Sequence, residues 1–457
     1  MEMSERRTES RDIKTEYLTA LTSQIRCRKA RPLVEEELTS HIDDQMEALM
    51  ADGMNEEDAM KESIRQMGDP VEVGVEMDRI HRPRLDWKFL IFAGLLSIAG
   101  LFLQYEMSRL AAGAGFAAPS FARQLACTCI GIAVMATVYF LDYTFIGKHA
   151  PALWTLLTIF IAGASLLSPT VNGSHSYMQL SFYLYVPVFA GLLYRFRNRG
   201  VCGLAWCLFL FILTLALGVR FFQTLNTAFF CSLVFLIMIT AGILKGWFQV
   251  PKKTTVFLLW AGWILLPVFI VCVGALNSYQ LERLRVFFSS PTARAEYDYV
   301  TGSILKLLSA SRLTGNAGLP AQEMLPSMSA DYIFTFVISC YGLLAGGALI
   351  LALLALVVKT LRLSSRLTNQ LGMMISLGCG CVFAIETAHY LLANCGFSPL
   401  AQTYLPFFSC GLRAALVTYL FSGLLLSVYR YKDIAGEIRA FPSLKIRIWM
   451  QPARKEK

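Results

Sequence analysis

The chain has 457 residues, of which 55% are hydrophobic and only 16% charged, with a formal net charge of +9. A soluble protein carries about 25% charged residues, so a soluble globular chain is excluded. Nucleic-acid binding is excluded as well: the polar N-terminal part is acidic, while the basic residues gather beside apolar segments and in the tail, a pattern that reports membrane orientation.

The polar composition is confined to residues 1–86, with apolar runs filling 87–430. The first 80 residues hold no apolar segment to serve as the core of a signal peptide, so this part is expected to stay in the cytoplasm. Residues 1–15 are expected to fray. Tyr17, Leu18, Leu21 and Ile25 then mark the apolar face of a first helix. A second runs from Leu33 to Met50, with Leu38, Ile42, Met46 and Met50 spaced by four, and Gly53 caps its end. Asn55 opens a third helix with Asp58 three residues on, a capping box with a shorter acid, and Gly68 stops it. Asp69-Pro70 starts a fourth. The acidic residues Glu35, Glu36, Glu37, Asp43 and Asp44 read as a solvated helix face. The expectation is a compact bundle of three or four short helices.

A run of about 20 apolar residues crosses the ~30 Å hydrocarbon core as a helix. Ten such segments follow: 87–105, 121–141, 152–168, 178–195, 201–218, 226–243, 255–275, 331–358, 370–394 and 405–429. The fold class is therefore all-α, a polytopic membrane protein of about ten transmembrane helices behind a small cytoplasmic helical bundle. Basic residues alternate between loops as an inside N-terminus requires. They are Lys148; Arg195, Arg197 and Arg199; Lys245, Lys252 and Lys253; and Lys359, Arg362 and Arg366. The basic tail, 433–457, also falls inside. The long loop at 276–330 is then extracytoplasmic. Its Arg283, Arg285, Arg294, Lys306 and Arg312 do not disturb the assignment, because long loops obey the charge rule weakly.

The long loop ends in a Pro-punctuated polar stretch that runs into Asp331, behind which the eighth apolar run begins. Asp331 is thus expected at a membrane surface, at the mouth of a helix, where an enzyme acting on a lipid head group would place a carboxylate. Asp is also a favoured helix N-cap, and the residue alone does not separate the two. Glu386 and His389 stand i, i+3 inside the ninth segment. Charge buried in lipid is costly, so both are expected to face a cavity or a partner, or to bond each other. A di-iron site needs that motif twice with two further Glu, which the chain lacks. The 12 Cys lie mostly within apolar runs and form no CxxC pair, so they read as small core residues rather than metal ligands or disulfides. Arg123 and Asp142 sit at the two ends of the second segment.

Two resemblances emerge. EELTSHIDD, GMNEEDAMKESIRQMGDP and HRPRLDW, within about residues 14–87, resemble the permease-prefix or HAAS-type domain, which implies a cytoplasmic sensing or interaction module and a regulator acting through residues 1–86. Residues 87–432, with ten segments and one large outer loop before the eighth, resemble the SEDS family (FtsW/RodA/SpoVE). FARQLACTCIGIAVMATVYFLDY resembles that family's RQL…G…M…DY helix through Arg123, Gln124, Leu125, Gly131, Met135, Asp142 and Tyr143. YQLERLRVFFSSP resembles the opening of the large loop. LPSMSADYIF matches LPExHTDFIF at Leu325, Pro326, Asp331, Ile333 and Phe334, and LPFFSCG matches LPFISYGG at Leu405, Pro406, Phe407, Ser409 and Gly411. The chain departs at Ser327 and Ser329, where the family has Glu and His, and at Ser339, Cys340 and Leu412. The loop between the third and fourth segments keeps Asn172 and Gly173 but has Tyr177 in place of Trp.

The resemblance implies a peptidoglycan glycosyltransferase of the bacterial cytoplasmic membrane. It would polymerise undecaprenyl-linked lipid II at the outer face with a class B penicillin-binding protein, in division, shape or sporulation. Asp331 matches the family's essential carboxylate and would be the general base. Arg123 would be a cavity cation, Arg283, Arg285, Lys306 and Arg312 head-group contacts, and Pro406 and Ser409 part of the wall. A cation must offset the charge growing on the departing diphosphate; whether it is an Arg or a divalent metal ion stays open at this level. Two alternatives stand beside this: a catalytically silent scaffold that regulates a penicillin-binding protein, and a transporter of lipid-linked precursors, which would call for more coupled charges at the midplane.

Overall fold

The computed structural model describes residues 2–113, 120–167, 176–222, 225–272, 278–289, 299–316, 318, 325, 328–398, 403–432 and 434. Of the residues singled out above, Asn172, Gly173, Arg294, Pro326, Ser327 and the tail beyond 434 lie outside these, as do the side chains of Tyr177 and Arg283. Every regular element among the described residues is helical. The chain divides into two compact units, one from residues 1–87 with the end of the last helix from Leu426, the other from Lys88 to Leu425.

The first unit holds four helices: α1 Glu2–Ser23, α2 Arg31–Ala51, α3 Glu56–Met67 and α4 Pro70–Ile80. Helix α1 starts at Glu2, so the stretch expected to fray is helical. Tyr17, Leu18, Leu21 and Ile25 are buried together with Val34, Leu38 and Ile42 of α2. Met50 departs from expectation at 42% exposed, because a strict four-residue spacing drifts off the face of a 3.6-residue helix. Asn55 accepts the Asp58 backbone N–H at 2.8 Å, and Asp69 accepts those of Val71 and Glu72 at 2.7 and 3.1 Å. Both satisfy donors that a helix start leaves without partners.

The second unit begins with α5 Trp87–Gly113, α6 Phe121–Phe140 and α7 Thr144–Leu167. Helix α7 starts earlier than the apolar run because Asp142 accepts the Thr144 N–H at 2.9 Å, and it bends at His149 ahead of Pro151. The fourth run forms a 3₁₀ turn, Ser176–Leu184, leading into α8 Tyr185–Arg195. Then come α9 Gly200–Phe222, α10 Leu225–Leu244, α11 Lys252–Cys272, α12 Ser278–Phe287 and α13 Tyr299–Ser309. Among the described residues, 8 helices are long and apolar enough to cross a bilayer.

Two expected spans are built differently. The run 331–358 is not one helix. It is α14 Met328–Asp331, α15 Ile333–Tyr341 and α16 Leu343–Arg366, with breaks at Tyr332 and Gly342. Gly342 has φ +94°, and a Cβ there would lie 2.7 Å from the Leu313 carbonyl oxygen, so the second break needs glycine both for its backbone angle and for its space. The groups freed at that break pair with the passing segment: Leu343 N–H donates to Arg312 O at 3.0 Å and Leu344 N–H to Leu313 O at 3.1 Å. The last run, 405–429, becomes helical only at Leu412. Its helix is α18 Leu412–Arg430, preceded by the non-helical segment 403–411. The helix between them, α17 Gln370–Asn394, is buried along most of its length and packs on α16, α8 and α10.

Candidate active site

Helix α14 stops after four residues, so its carbonyls have no intrahelical partner. Three in succession are met from other elements. Ser329 O accepts from Gln104 Nε2 of α5 at 2.8 Å and from the Cys410 N–H at 3.1 Å. Ala330 O accepts from Ser409 Oγ at 2.8 Å and from the Tyr390 hydroxyl at 3.1 Å. Asp331 O accepts from Asn394 Nδ2 at 3.0 Å. The start of α15 is met by the same two side chains of α17. Ile333 N–H donates to Tyr390 Oη at 2.9 Å, and Thr335 N–H to Asn394 Oδ1 at 3.3 Å. Tyr390 and Asn394 therefore cap the end of one helix and the beginning of the next, and Asp331 is the residue held between them. Asp331 does not itself cap α15, whose N-cap is Tyr332 without a side-chain bond.

The segment 403–411 closes the site from the other side. Pro406 and Ser409 are buried in it, and Ser409 Oγ also accepts the Leu405 N–H at 2.8 Å, folding the segment on itself. Phe407 takes φ +69°, and its carbonyl lies so close to Gly100 of α5 that no Cβ fits between them. Gln104 Nε2 bonds Phe408 O at 2.7 Å, and Gln124 Oε1 of α6 accepts the Gly411 N–H at 2.9 Å.

The Asp331 side chain is half-buried. Burial pushes its carboxyl up to about 6, and the positive charge of Arg413, in the first turn of α18, pulls the other way. A carboxylate tuned toward neutral pH can accept a proton from a hydroxyl brought against it. Arg123 is exposed in the first turn of α6 and lies by Cys410, whose thiol burial raises and Arg123 lowers. Arg285 is exposed on α12, 3.9 Å from Glu282, and Arg283 shares that helix. Lys306 at the end of α13 and Arg312 beyond it are exposed. Glu386 and His389 are buried on α17 and do not bond each other: Tyr183 donates to Glu386 Oε1, while His389 meets Ser398 and Thr403. Among the described residues no group of three or more His, Cys, Asp or Glu gathers to hold a metal ion.

The structure thus brings together Asp331, Ser409 and Pro406, with Arg123 at the edge. The sequence reading missed Gln104, Tyr390, Asn394 and Arg413. A Tyr and an Asn four apart near the end of the ninth run are a signal of paired capping side chains, but nothing in the sequence says which helix ends they meet. Nothing in the sequence separates Arg413 from the other basic residues.

This is a helical, multi-pass membrane fold whose polar side chains converge on one helix break. The family model described as cell cycle protein, FtsW/RodA/SpoVE, matches residues 86–434, and the chain belongs to that family, the SEDS proteins. A curated relative from Mesostigma viride, named "Putative peptidoglycan glycosyltransferase FtsW", is 26% identical over 226 residues, 48% of this chain and 51% of the relative. The chain thus spans about half the length of that relative. A solved chain described under structural coordination of polymerization and crosslinking by a peptidoglycan synthase complex shares 17% identity over 76% of this chain and 98% of its own, with TM-score 0.59. The rod shape determining protein RodA of Thermus thermophilus shares 15% identity over 76% of this chain and 97% of its own, with TM-score 0.53. A RodA variant with one Asp changed to Ala gives the same identity and TM-score. At such identities the solved structures establish the fold.

Proposed function

We propose that this protein is a SEDS-type glycosyltransferase that polymerises lipid II at the outer face of the bacterial cytoplasmic membrane, working with a class B penicillin-binding protein. The observation that carries the reading is the clamped position of Asp331, half-buried at a helix break with the charge of Arg413 acting on it. Glycan extension needs a sugar hydroxyl to attack an anomeric carbon and expel a polyprenyl diphosphate. Asp331 takes the proton of the attacking hydroxyl. Arg413, together with Arg123 at the edge, offsets the charge that grows on the diphosphate. The basic residues Lys148, Arg195–Arg199 and Lys245–Lys253 support a cytoplasmic position for their end of the bundle, and with it an outer position for Asp331. Residues 1–86 then serve in the cytoplasm as a permease-prefix-type module that receives a regulator.

The test is lipid II polymerisation by the purified protein, alone and with candidate class B penicillin-binding proteins, beside Asp331→Asn. Loss of a positioned base costs about 100-fold or more, so polymer from the wild type and at least 100-fold less from the variant is expected. Equal polymer from both removes Asp331 from the chemistry. The loss of the family's ionisable residues at Ser327, Ser329, Ser339 and Cys340 favours one second reading, a silent scaffold; it gains if the partner binds yet no polymer forms.

A further inference from the structure

One polar cluster of the membrane unit has no part in the reaction just described. Glu386 of α17 is completely buried. Its Oε1 accepts from the hydroxyl of Tyr183, which is itself completely buried on the 3₁₀ turn Ser176–Leu184. The Thr403 hydroxyl and the Tyr404 backbone N–H face the same carboxyl group. Among the described residues Oε2 makes no hydrogen bond. His389, one turn along, meets Thr403 Oγ1 at 3.3 Å and Ser398 Oγ at 2.9 Å, with its ring 4.5 Å from that of Phe230.

These contacts converge on the start of segment 403–411. Thr403 and Tyr404 lead directly to Leu405, whose N–H donates to Ser409 Oγ at 2.8 Å, and that hydroxyl donates to Ala330 O at 2.8 Å. Glu386 also stands one helical turn from Tyr390, the second donor to Ala330 O. A carboxyl buried in an apolar bundle is expensive. Here Tyr183 bonds the carboxyl and Thr403 and Tyr404 face it, so the 3₁₀ turn and segment 403–411 meet at α17 one helical turn from Tyr390.

We propose that Glu386 is a positioning residue for Asp331. With Tyr183 and Thr403 it ties segment 403–411 to α17, and so fixes Ser409 and Cys410 under the Ser329–Asp331 turn. The catalytic consequence rests on the glycosyltransferase reading; the mechanical one does not. Because a single oxygen does the accepting, an amide supplies the same tie and a methyl group does not.

The experiment uses the full chain in lipid nanodiscs and compares Glu386→Ala, Glu386→Gln and Tyr183→Phe with wild type by two readouts. One is kcat and KM for lipid II with the partner bound; the other is amide hydrogen exchange over 328–335 and 403–411. Glu386→Ala is expected to lower kcat at least tenfold with KM within twofold, since misplacing a base costs rate rather than affinity, and to speed exchange in those two segments. Glu386→Gln is expected within twofold of wild type in both readouts. Tyr183→Phe, which loses one donor, is expected to lower kcat about threefold and decides the matter if Glu386→Ala does not fold. Unchanged kcat and exchange in the alanine variant, or exchange speeded equally throughout the membrane unit, overturns the proposal. So does a glutamine variant as poor as alanine, which assigns the role to the charge. If the wild type makes no polymer with any partner, the glycosyltransferase reading fails while the exchange readout still decides the tie.

Discussion

Between Met328 and Arg366 the chain stops being helical twice, whereas between Gln370 and Asn394 it does not stop at all. Both stretches are apolar, and they pack against each other in the same unit. The difference lies in where backbone groups find partners. In α17 the ladder is continuous, which leaves side chains such as Tyr390 and Asn394 at liberty to bond elsewhere. In α14–α16 the ladder is interrupted; those side chains complete it at Tyr332, and the carbonyls of Arg312 and Leu313 complete it at Gly342. A break inside a membrane fold is tolerated only where such partners exist. The break also does what an unbroken helix does not: it holds the backbone beside a carboxylate residue from several directions. Reactive position and rigid support are thus divided between two neighbouring stretches.

The sharpest way to break this arrangement is to remove a cap. Asn394→Ala leaves Asp331 O, Thr335 N and the Thr335 hydroxyl without the Asn394 amide. Unpaired buried polar groups cost about 1–3 kcal/mol each, and relaxation recovers part of that. The expected loss is about 3 kcal/mol, read as a lower thermal midpoint in detergent, with polymerisation reduced at least tenfold. A variant with wild-type stability would show that the cap is dispensable.

Gly342→Ala tests the second break. The backbone at φ +94° and ψ 174° is open essentially to glycine and costs a Cβ-bearing residue about 1–3 kcal/mol, and the Leu313 carbonyl at 2.7 Å adds steric strain. A loss of about 2 kcal/mol is expected, with little change in KM because the break lies a full α15 length from Asp331. The matching perturbation in the unbroken stretch is Asn369→Ala, which removes the cap bond to the Gly372 N–H at 3.0 Å. Loss of an N-cap costs about 1 kcal/mol, and activity should not follow. If Asn369→Ala impaired activity as strongly as Asn394→Ala, the two stretches would not differ in role.

How much of this was legible follows from the same contrast. Apolar length locates spans, so the runs at 121–141, 201–218, 226–243 and 370–394 appear as helices where the sequence places them, and the caps at Asn55 and Asp69 are local chemistry readable from neighbouring residues. The break at Tyr332 was not legible, because the run that contains it has no proline and nothing polar enough to interrupt it. What interrupts it comes from Tyr390, Asn394 and Ser409, between 57 and 79 positions away in sequence. Gly342 sits in the run unmarked among other glycines; only the passing Leu313 carbonyl shows why it is needed there. Asp331, Pro406 and Ser409 are singled out through motif resemblance. Arg413 is not, since a lone Arg at a helix start reads as an interfacial anchor.

The smallest and most discriminating effect concerns that arginine. Burial holds the Asp331 carboxyl at about 6, and Arg413 favours its ionised form. A base works when ionised, so polymerisation should fall as pH drops through about 6 and level off above 7. In Arg413→Gln the favouring charge is gone, the carboxyl rises further, and the acid limb moves to higher pH. The variant should lose several-fold more activity at pH 6 than at pH 8. Arg413→Lys keeps the charge and should keep the limb. A lower plateau with an unmoved limb would assign Arg413 to the departing diphosphate alone, and a profile identical to wild type would detach it from the site. The same raised carboxyl acts on stability with its own sign. Ionising Asp331 costs the folded state more than the unfolded one, so the stability this group contributes is present at low pH and is lost as pH rises through about 6. Asp331→Asn should therefore be no less stable than wild type at pH 8 even as it loses activity, which would mark the carboxylate as kept for chemistry rather than for the fold.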